Sequence, residues 1–145
     1  MRVRQLDGHE LRSMLARPDQ PWLQALSLRL RNLPTHPDSR VLIAEEDGHP
    51  RALLGLKMYW VGGGHLRKVT IVVLGVDPAH NRRGIGSRLV RFAEGLARIN
   101  GCTRVEGEAD VEGWEDGRCW AGLGYDGTEA GLLKVLRSPV QGTVA

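Results

Sequence analysis

The feature that most constrains this chain is an apolar and largely β-branched run, Val69 to Leu74. Such a run suits a strand covered on both faces. A polar turn follows, Asp77-Pro78-Ala79-His80-Asn81-Arg82-Arg83, and then helical spacing from Gly84 to Asn100. Ile85, Leu89, Phe92, Ala93 and Leu96 form the predicted buried stripe of that helix, and Asn100-Gly101 supplies a left-handed stop. Thr103 to Ala109 reads as the next strand. A strand, turn, helix, strand unit of this kind crosses over right-handedly and makes its two strands parallel. Ligands of open sheets sit beyond the carboxyl ends of such strands.

The flanking segments supply the other elements of one domain over residues 1–145. Val3 to Leu6 is a short first strand, and Glu10 to Ala16 and Trp22 to Leu33 are helices parted by Pro18-Asp19-Gln20-Pro21. Arg40 to Glu46 and Arg51 to Trp60 make a hairpin across Glu46-Asp47-Gly48-His49, and Gly62-Gly63-Gly64 marks the next loop. Gly117 to Gly122 is a short helix and Leu132 to Arg137 a closing strand; residues 138–145 are expected to fray.

Composition narrows the classes. A chain of 145 residues with 41% apolar and 26% charged residues reads as globular and buries a core without staples. No apolar run reaches the roughly 18 residues of a membrane span, and nothing apolar follows Met1-Arg2-Val3-Arg4-Gln5 as a secretory leader would require. Cys102 and Cys119 form neither a disulfide framework nor a metal spacing, so a reducing, cytoplasmic setting is the simpler expectation. Twenty Lys and Arg against seventeen Asp and Glu, with no basic stripe, give no case for nucleic acid. His9, His36, His49, His65 and His80 are scattered, so no metal site is expected. Ser87 lacks a Gly-x-Ser-x-Gly frame.

The chemistry concentrates at Asn81-Arg82-Arg83-Gly84-Ile85-Gly86-Ser87. First-turn N–H groups of a helix have no intrahelical partner, and the helix dipole adds positive charge there. Gly84 and Gly86 let an anion approach the backbone, while Arg82, Arg83 and Arg88 add full charges. The site suits a phosphate or pyrophosphate. A dinucleotide fingerprint would need glycine where Leu89 stands, and the Gly-Lys-Ser/Thr of a P-loop is absent.

With Val76-Asp77-Pro78 before that turn, the sequence resembles the GNAT superfamily of acyl-CoA-dependent N-acyltransferases. That family has an apolar strand ending in Val-x-Pro, then Arg/Gln-x-x-Gly-x-Gly/Ala opening a helix. The resemblance is strongest over residues 69 to 125. It implies a single α/β domain with a central mixed, mostly antiparallel sheet. A parallel strand pair would splay at the acyl-CoA site, with helices on both faces. It further implies that Leu74, Gly75 and Val76 pair with the pantetheine arm of acetyl-CoA, and that the turn from Arg82 to Ser87 holds the pyrophosphate. Asn81 stands where the family usually has Arg or Gln, which points to weaker or reshaped binding rather than none. Cys119-Trp120-Ala121-Gly122-Leu123-Gly124-Tyr125 is similar to a second family pattern. There Trp120 replaces the tyrosine that in many members protonates the leaving thiolate, and Gly113 replaces an asparagine. An indole N–H donates hydrogen bonds but is not a usable acid.

An amine must lose its proton before it attacks a thioester, and a carboxylate near the cleft is the usual acceptor. Arg104, Glu106, Glu108 and Asp110 share one face of their strand. Glu108, twelve residues before Trp120, falls where some members of the family that this chain resembles place their base. The alternative is an exposed glutamate in a cross-strand ion pair. Glu106, Glu108, Asp110, Glu112, Glu115 and Asp116 crowd the same stretch, either as a solvated loop or as a surface for a cationic acceptor. The resemblance implies an N-acetyltransferase acting on a small-molecule or protein amine. A strand N–H near Leu74 or Gly75 would polarise the carbonyl. The second reading is a non-catalytic acyl-CoA-binding or interaction module on the same fold. A homodimer is left open.

Overall fold

The computed structural model describes residues 1–17, 19–33, 38–61, 66–108, 117–128 and 131–136. Strand β1 (Arg2–Leu6) leads into α1 (Gly8–Leu15), whose start is fixed by a capping box between Asp7 and Glu10. Helices α2 (Pro21–Ala25) and α3 (Ser27–Asn32) follow, then β2 (Ser39–Glu46), β3 (His49–Val61) and β4 (Leu66–Val76). A 3-10 turn over Pro78–Arg83 enters α4 (Ile85–Ile99), and β5 (Arg104–Glu108), α5 (Gly117–Gly122), β6 (Asp126–Thr128) and β7 (Gly131–Val135) complete the fold. The triple-glycine loop and the tail from residue 138 lie outside the described residues.

The seven strands form one sheet in the order β1-β2-β3-β4-β5-β7-β6. Every neighbouring pair is antiparallel except β4 and β5. One face carries α4, with Ile85, Leu89, Val90 and Ala93 buried against Leu54, Ile71 and Leu74. Fully burying each large aliphatic side chain there is worth about 1.5–3 kcal/mol. The other face carries α1 to α3, through Leu11, Leu23, Leu26, Leu30 and Leu33. Helices therefore cover both faces, as the resemblance implies.

Three expectations need correction. The helix read over Trp22–Leu33 is two short helices joined at Leu26, whose φ of −92° and ψ of −7° interrupt regular winding. Leu26 there packs onto β4 where Gly75 has no side chain; a Cβ at Gly75 would overlap Leu26 Cδ1 and lie 3.2 Å from its Cγ. Phe92 is 40% exposed. The buried arc of α4 turns instead toward Val90, Glu94 and Ala97, and Phe92 falls past its other edge. Strand β6 was not foreseen, because three residues with no apolar alternation carry no strand signal.

The contact between Leu26 and Gly75 gives a first expectation. Gly75→Ala should destabilise the fold by about 1–3 kcal/mol, the usual cost of overpacking. Urea unfolding measures it, and Leu26→Ala in the same chain should offset part of the loss because the two sites touch. Additive losses would remove the packing role of Gly75.

Candidate functional site

Strand β4 carries a bulge that sets the site. Val73 faces Gly55 and Ile71 faces Leu56 on β3, so Val72 has no residue opposite it. The extra residue changes the parity of the strand. Val69 and Ile71 before it, and Leu74 and Val76 after it, all bury on the α4 face, while Val72 and Val73 turn to the other. Pairing with β5 is confined to Lys68–Ile71 against Arg104–Gly107. Beyond Ile71, β4 is paired with β3 alone among the described residues, through Val76 against Ala52. A parallel pair that parts in this way opens a cleft edged by backbone polar groups, which need a partner when water leaves.

The turn after β4 is held by Asp77. Its Oδ1 accepts from Ala79 N–H at 3.0 Å, and its Oδ2 lies 3.4 Å from Arg51 Nη1 and 3.2 Å from His80 Nδ1. The main chain of Asp77 donates to Arg51 O at 2.7 Å, which ties the turn to β3. His80 is thereby an anchor of the turn. Gly84 then takes φ +71° as the N-cap of α4, with no side chain capping the first turn. The first helical bond runs from Arg88 N–H to Gly84 O at 3.1 Å. A Cβ at Gly84 would meet nothing within 4 Å, and the residue is exposed, whereas Gly86 is buried within the helix. Leu74, Gly75, Val76, Gly84, Ile85, Gly86 and Ser87 thus gather at one end of the splayed pair. Asn81, Arg82 and Arg83 contribute backbone to the 3-10 turn; their side chains lie outside the described part.

On the opposite face of the sheet, a cavity of about 170 Å³ is lined by Arg29, Leu33, Lys57, Val72 and Glu108. The strand alternation is as expected, Val105 and Gly107 being buried and Glu108 exposed. Glu106, not Glu108, makes the strand ion pairs, at 2.9 Å to Lys68 Nζ and 3.3 Å to Arg104 Nε. Among the described residues the Glu108 side chain has no hydrogen-bond or ion-pair partner. Asp110, Glu112, Gly113, Glu115 and Asp116 lie outside the described residues. A larger cavity of about 440 Å³ opens at Met1, Arg2 and Glu45 to Gly48. Its three carboxylates make it a poor home for an anionic ligand.

Sequence reading missed a buried charge. Glu94 on α4 is 3% exposed, accepts from Tyr125 Oη at 2.7 Å, and pairs with Lys134 Nζ at 3.0 Å. Lys134 also donates to Leu123 O at 2.6 Å. Burial first, then the carboxylate of Glu94, push the Tyr125 hydroxyl far above its ordinary range. It stays neutral at working pH and is no acid for a leaving group. Trp120 is 4% exposed and packs edge-to-face on Tyr125 with centroids 5.0 Å apart. Cys102 is buried, which raises its thiol and leaves it a poor nucleophile. Among the described residues no group of three His, Cys, Asp or Glu could hold a metal, and no helix is long and apolar enough to cross a membrane.

Comparison with known proteins agrees with this architecture. Residues 8–117 match the acetyltransferase (GNAT) family, and the chain belongs to that family. No curated protein sequence matches it. Among solved structures it is similar to a probable acetyltransferase, with a TM-score of 0.69, 15% identity and coverage of 89% of this chain and 92% of the other. It is also similar to an aminoglycoside antibiotic 6'-N-acetyltransferase from Acinetobacter haemolyticus, with a TM-score of 0.65, 22% identity and coverage of 94% and 96%. A GNAT family acetyltransferase from Staphylococcus aureus gives a TM-score of 0.64, 16% identity and coverage of 93% and 98%. At these identities the likeness is one of fold.

Proposed function

We propose that this acetyltransferase takes its acetyl group from acetyl-CoA and passes it to a primary amine by direct attack on the thioester. The observation that carries this is the parting of β4 from β5 after Ile71 and Gly107, beside the uncapped first turn of α4. The open edge of Leu74, Gly75 and Val76 would pair with the pantetheine amides. Backbone N–H groups from Arg82 to Ser87 would meet the pyrophosphate. A strand N–H near Leu74 or Gly75 would polarise the thioester carbonyl. Glu108 would take the proton of the incoming amine, directly or through a water. The amine nitrogen then bonds to the carbonyl carbon as the carbon–sulfur bond breaks. Sulfur leaves as a thiolate and takes its proton from water, since Trp120 is no acid and Tyr125 is committed to Glu94. A cytoplasmic setting goes with this reading.

The test is thiol released from acetyl-CoA when a panel of amines is added. Amine-dependent release supports transfer. Binding of acetyl-CoA without release from any amine would leave the non-catalytic module, the reading that buried Trp120 favours.

The pyrophosphate placement has its own test. Asparagine tolerates a left-handed backbone, so Gly84→Asn should fold while its side chain fills the open space before α4. Acetyl-CoA affinity should fall at least about tenfold, or 1.4 kcal/mol. Gly101→Asn is the matched control, with φ +75°, open space at its Cβ and a position at the far end of α4. Calorimetric titration showing equal affinities for both variants would displace the pyrophosphate from this turn.

A further inference from the structure

The small cavity beside Val72 has an unusual charge pattern. Lys57 on β3 and Glu108 on β5 both line it, yet no ion pair joins them. Neither side chain has a hydrogen-bond or ion-pair partner among the described residues, whereas nearby Lys68 is paired with Glu106 at 2.9 Å. Arg29 of α3 adds a second cation to the wall, and Leu33 and Val72 make it apolar between the charges. Lys57 and Glu108, oppositely charged and held apart in one small apolar-walled space, each lack a counter-charge among the described residues. A ligand with the reverse arrangement supplies both.

We infer that the acceptor is a small amino-carboxylate, its amine facing Glu108 and its carboxylate facing Lys57 and Arg29. This rests on the acyl-transfer reading and narrows its substrate. A volume of about 170 Å³ is below the roughly 300–1,000 Å³ of pockets that enclose drug-sized ligands. It therefore fits a compact molecule rather than a polycyclic one. The two cations also disfavour a polycationic acceptor through like-charge repulsion. That separates this chain from its structural neighbour described as an aminoglycoside acetyltransferase.

The experiment compares amines that differ only in the carboxylate: glycine against methylamine, and β-alanine against ethylamine, with spermidine and an aminoglycoside as polycations. Thiol release from acetyl-CoA should favour the amino-carboxylate of each pair at least about tenfold in kcat/KM, because the site would otherwise leave the Lys57 ammonium unpaired. Lys57→Ala should abolish that preference, Lys57→Arg should retain it, and neither should change acetyl-CoA affinity. Equal or better use of methylamine, spermidine or the aminoglycoside overturns the inference. So does a preference that survives Lys57→Ala. Binding is read separately, from amide shifts at Lys57, Val72 and Glu108 on titration with β-alanine in the presence of CoA. Those shifts without thiol release would count against transfer while supporting the pocket. No shift at saturating β-alanine would overturn the pocket itself.

Discussion

Glu108→Gln is expected to lower amine-dependent thiol release at least about a hundredfold, the lower bound of what a positioned base contributes. Acetyl-CoA affinity should stay at the parent value, because Glu108 stands at the end of β5 on the α1–α3 face, across the sheet from α4. Glutamine keeps the shape and the hydrogen bonding of the side chain but cannot take a proton. Its neighbour makes a control within the same strand. Glu106 is engaged with Lys68 and Arg104, so Glu106→Gln should disturb a half-buried ion pair and leave turnover nearly intact. A pair this open to water is worth little more than the ~0–1 kcal/mol of a surface pair, or about 1 kcal/mol. Initial rates with a working amine, and calorimetry for acetyl-CoA, separate the two variants. Parent-like turnover in Glu108→Gln would reduce that residue to surface structure.

Glu94→Ala is expected to cost about 3 kcal/mol of stability. That is the low end of the cost of breaking a buried ion pair. The low end applies because the Lys134 side chain keeps 23% of its surface in water. Removing the carboxylate leaves the Lys134 ammonium with Leu123 O but no counter-charge, and the Tyr125 hydroxyl without its acceptor, on three elements that otherwise meet there: α4, the turn after α5, and β7. For a domain of this size the melting temperature should drop by roughly 6–12 °C. Replacing the whole network, by Glu94→Leu with Lys134→Met and Tyr125→Phe, should recover much of the loss, since no buried charge is then stranded and only Leu123 O loses its donor. A melting temperature in Glu94→Ala within a degree or two of the parent would contradict the weight given to this network.

How far the sequence speaks for itself varies along the chain. The strand, polar turn and helix over residues 69 to 100 are legible because each has a local cause. β-branched residues favour the strand, Pro78 breaks it, and Gly84 and Gly101 bracket the helix. The bulge at Val72 is hidden for a physical reason: β4 is apolar on both faces there, so a shift of parity leaves no mark in the pattern. Gly75 is legible as a position without a side chain, but its packing against Leu26 depends on where a separate helix lands. Glu94 is hidden by the placement of the helical stripe. Drawn through Phe92 and Leu96 it leaves Glu94 on the opposite, solvent-facing side, whereas the true arc extends through Val90 and Ala97 to Glu94 at its edge. The cavity beside Glu108 draws Arg29, Lys57 and Val72 from three elements, and no single stretch of sequence announces it.

Amide chemical-shift mapping with acetyl-CoA tests the proposed cofactor site most directly, because it reports position and binding together. Titration of labelled protein should move the amides of Leu74, Gly75, Val76, Ile85, Gly86 and Ser87 first and furthest, along the open edge of β4 and the first turn of α4. Smaller shifts should reach Val72 and Glu108 only when the acetyl group is present, since free CoA lacks the atoms that approach them. Shifts confined to the cavity at Met1, Arg2 and Glu45 to Gly48, or no shifts at saturating acetyl-CoA, would contradict the placement of the cofactor and the transfer chemistry built on it.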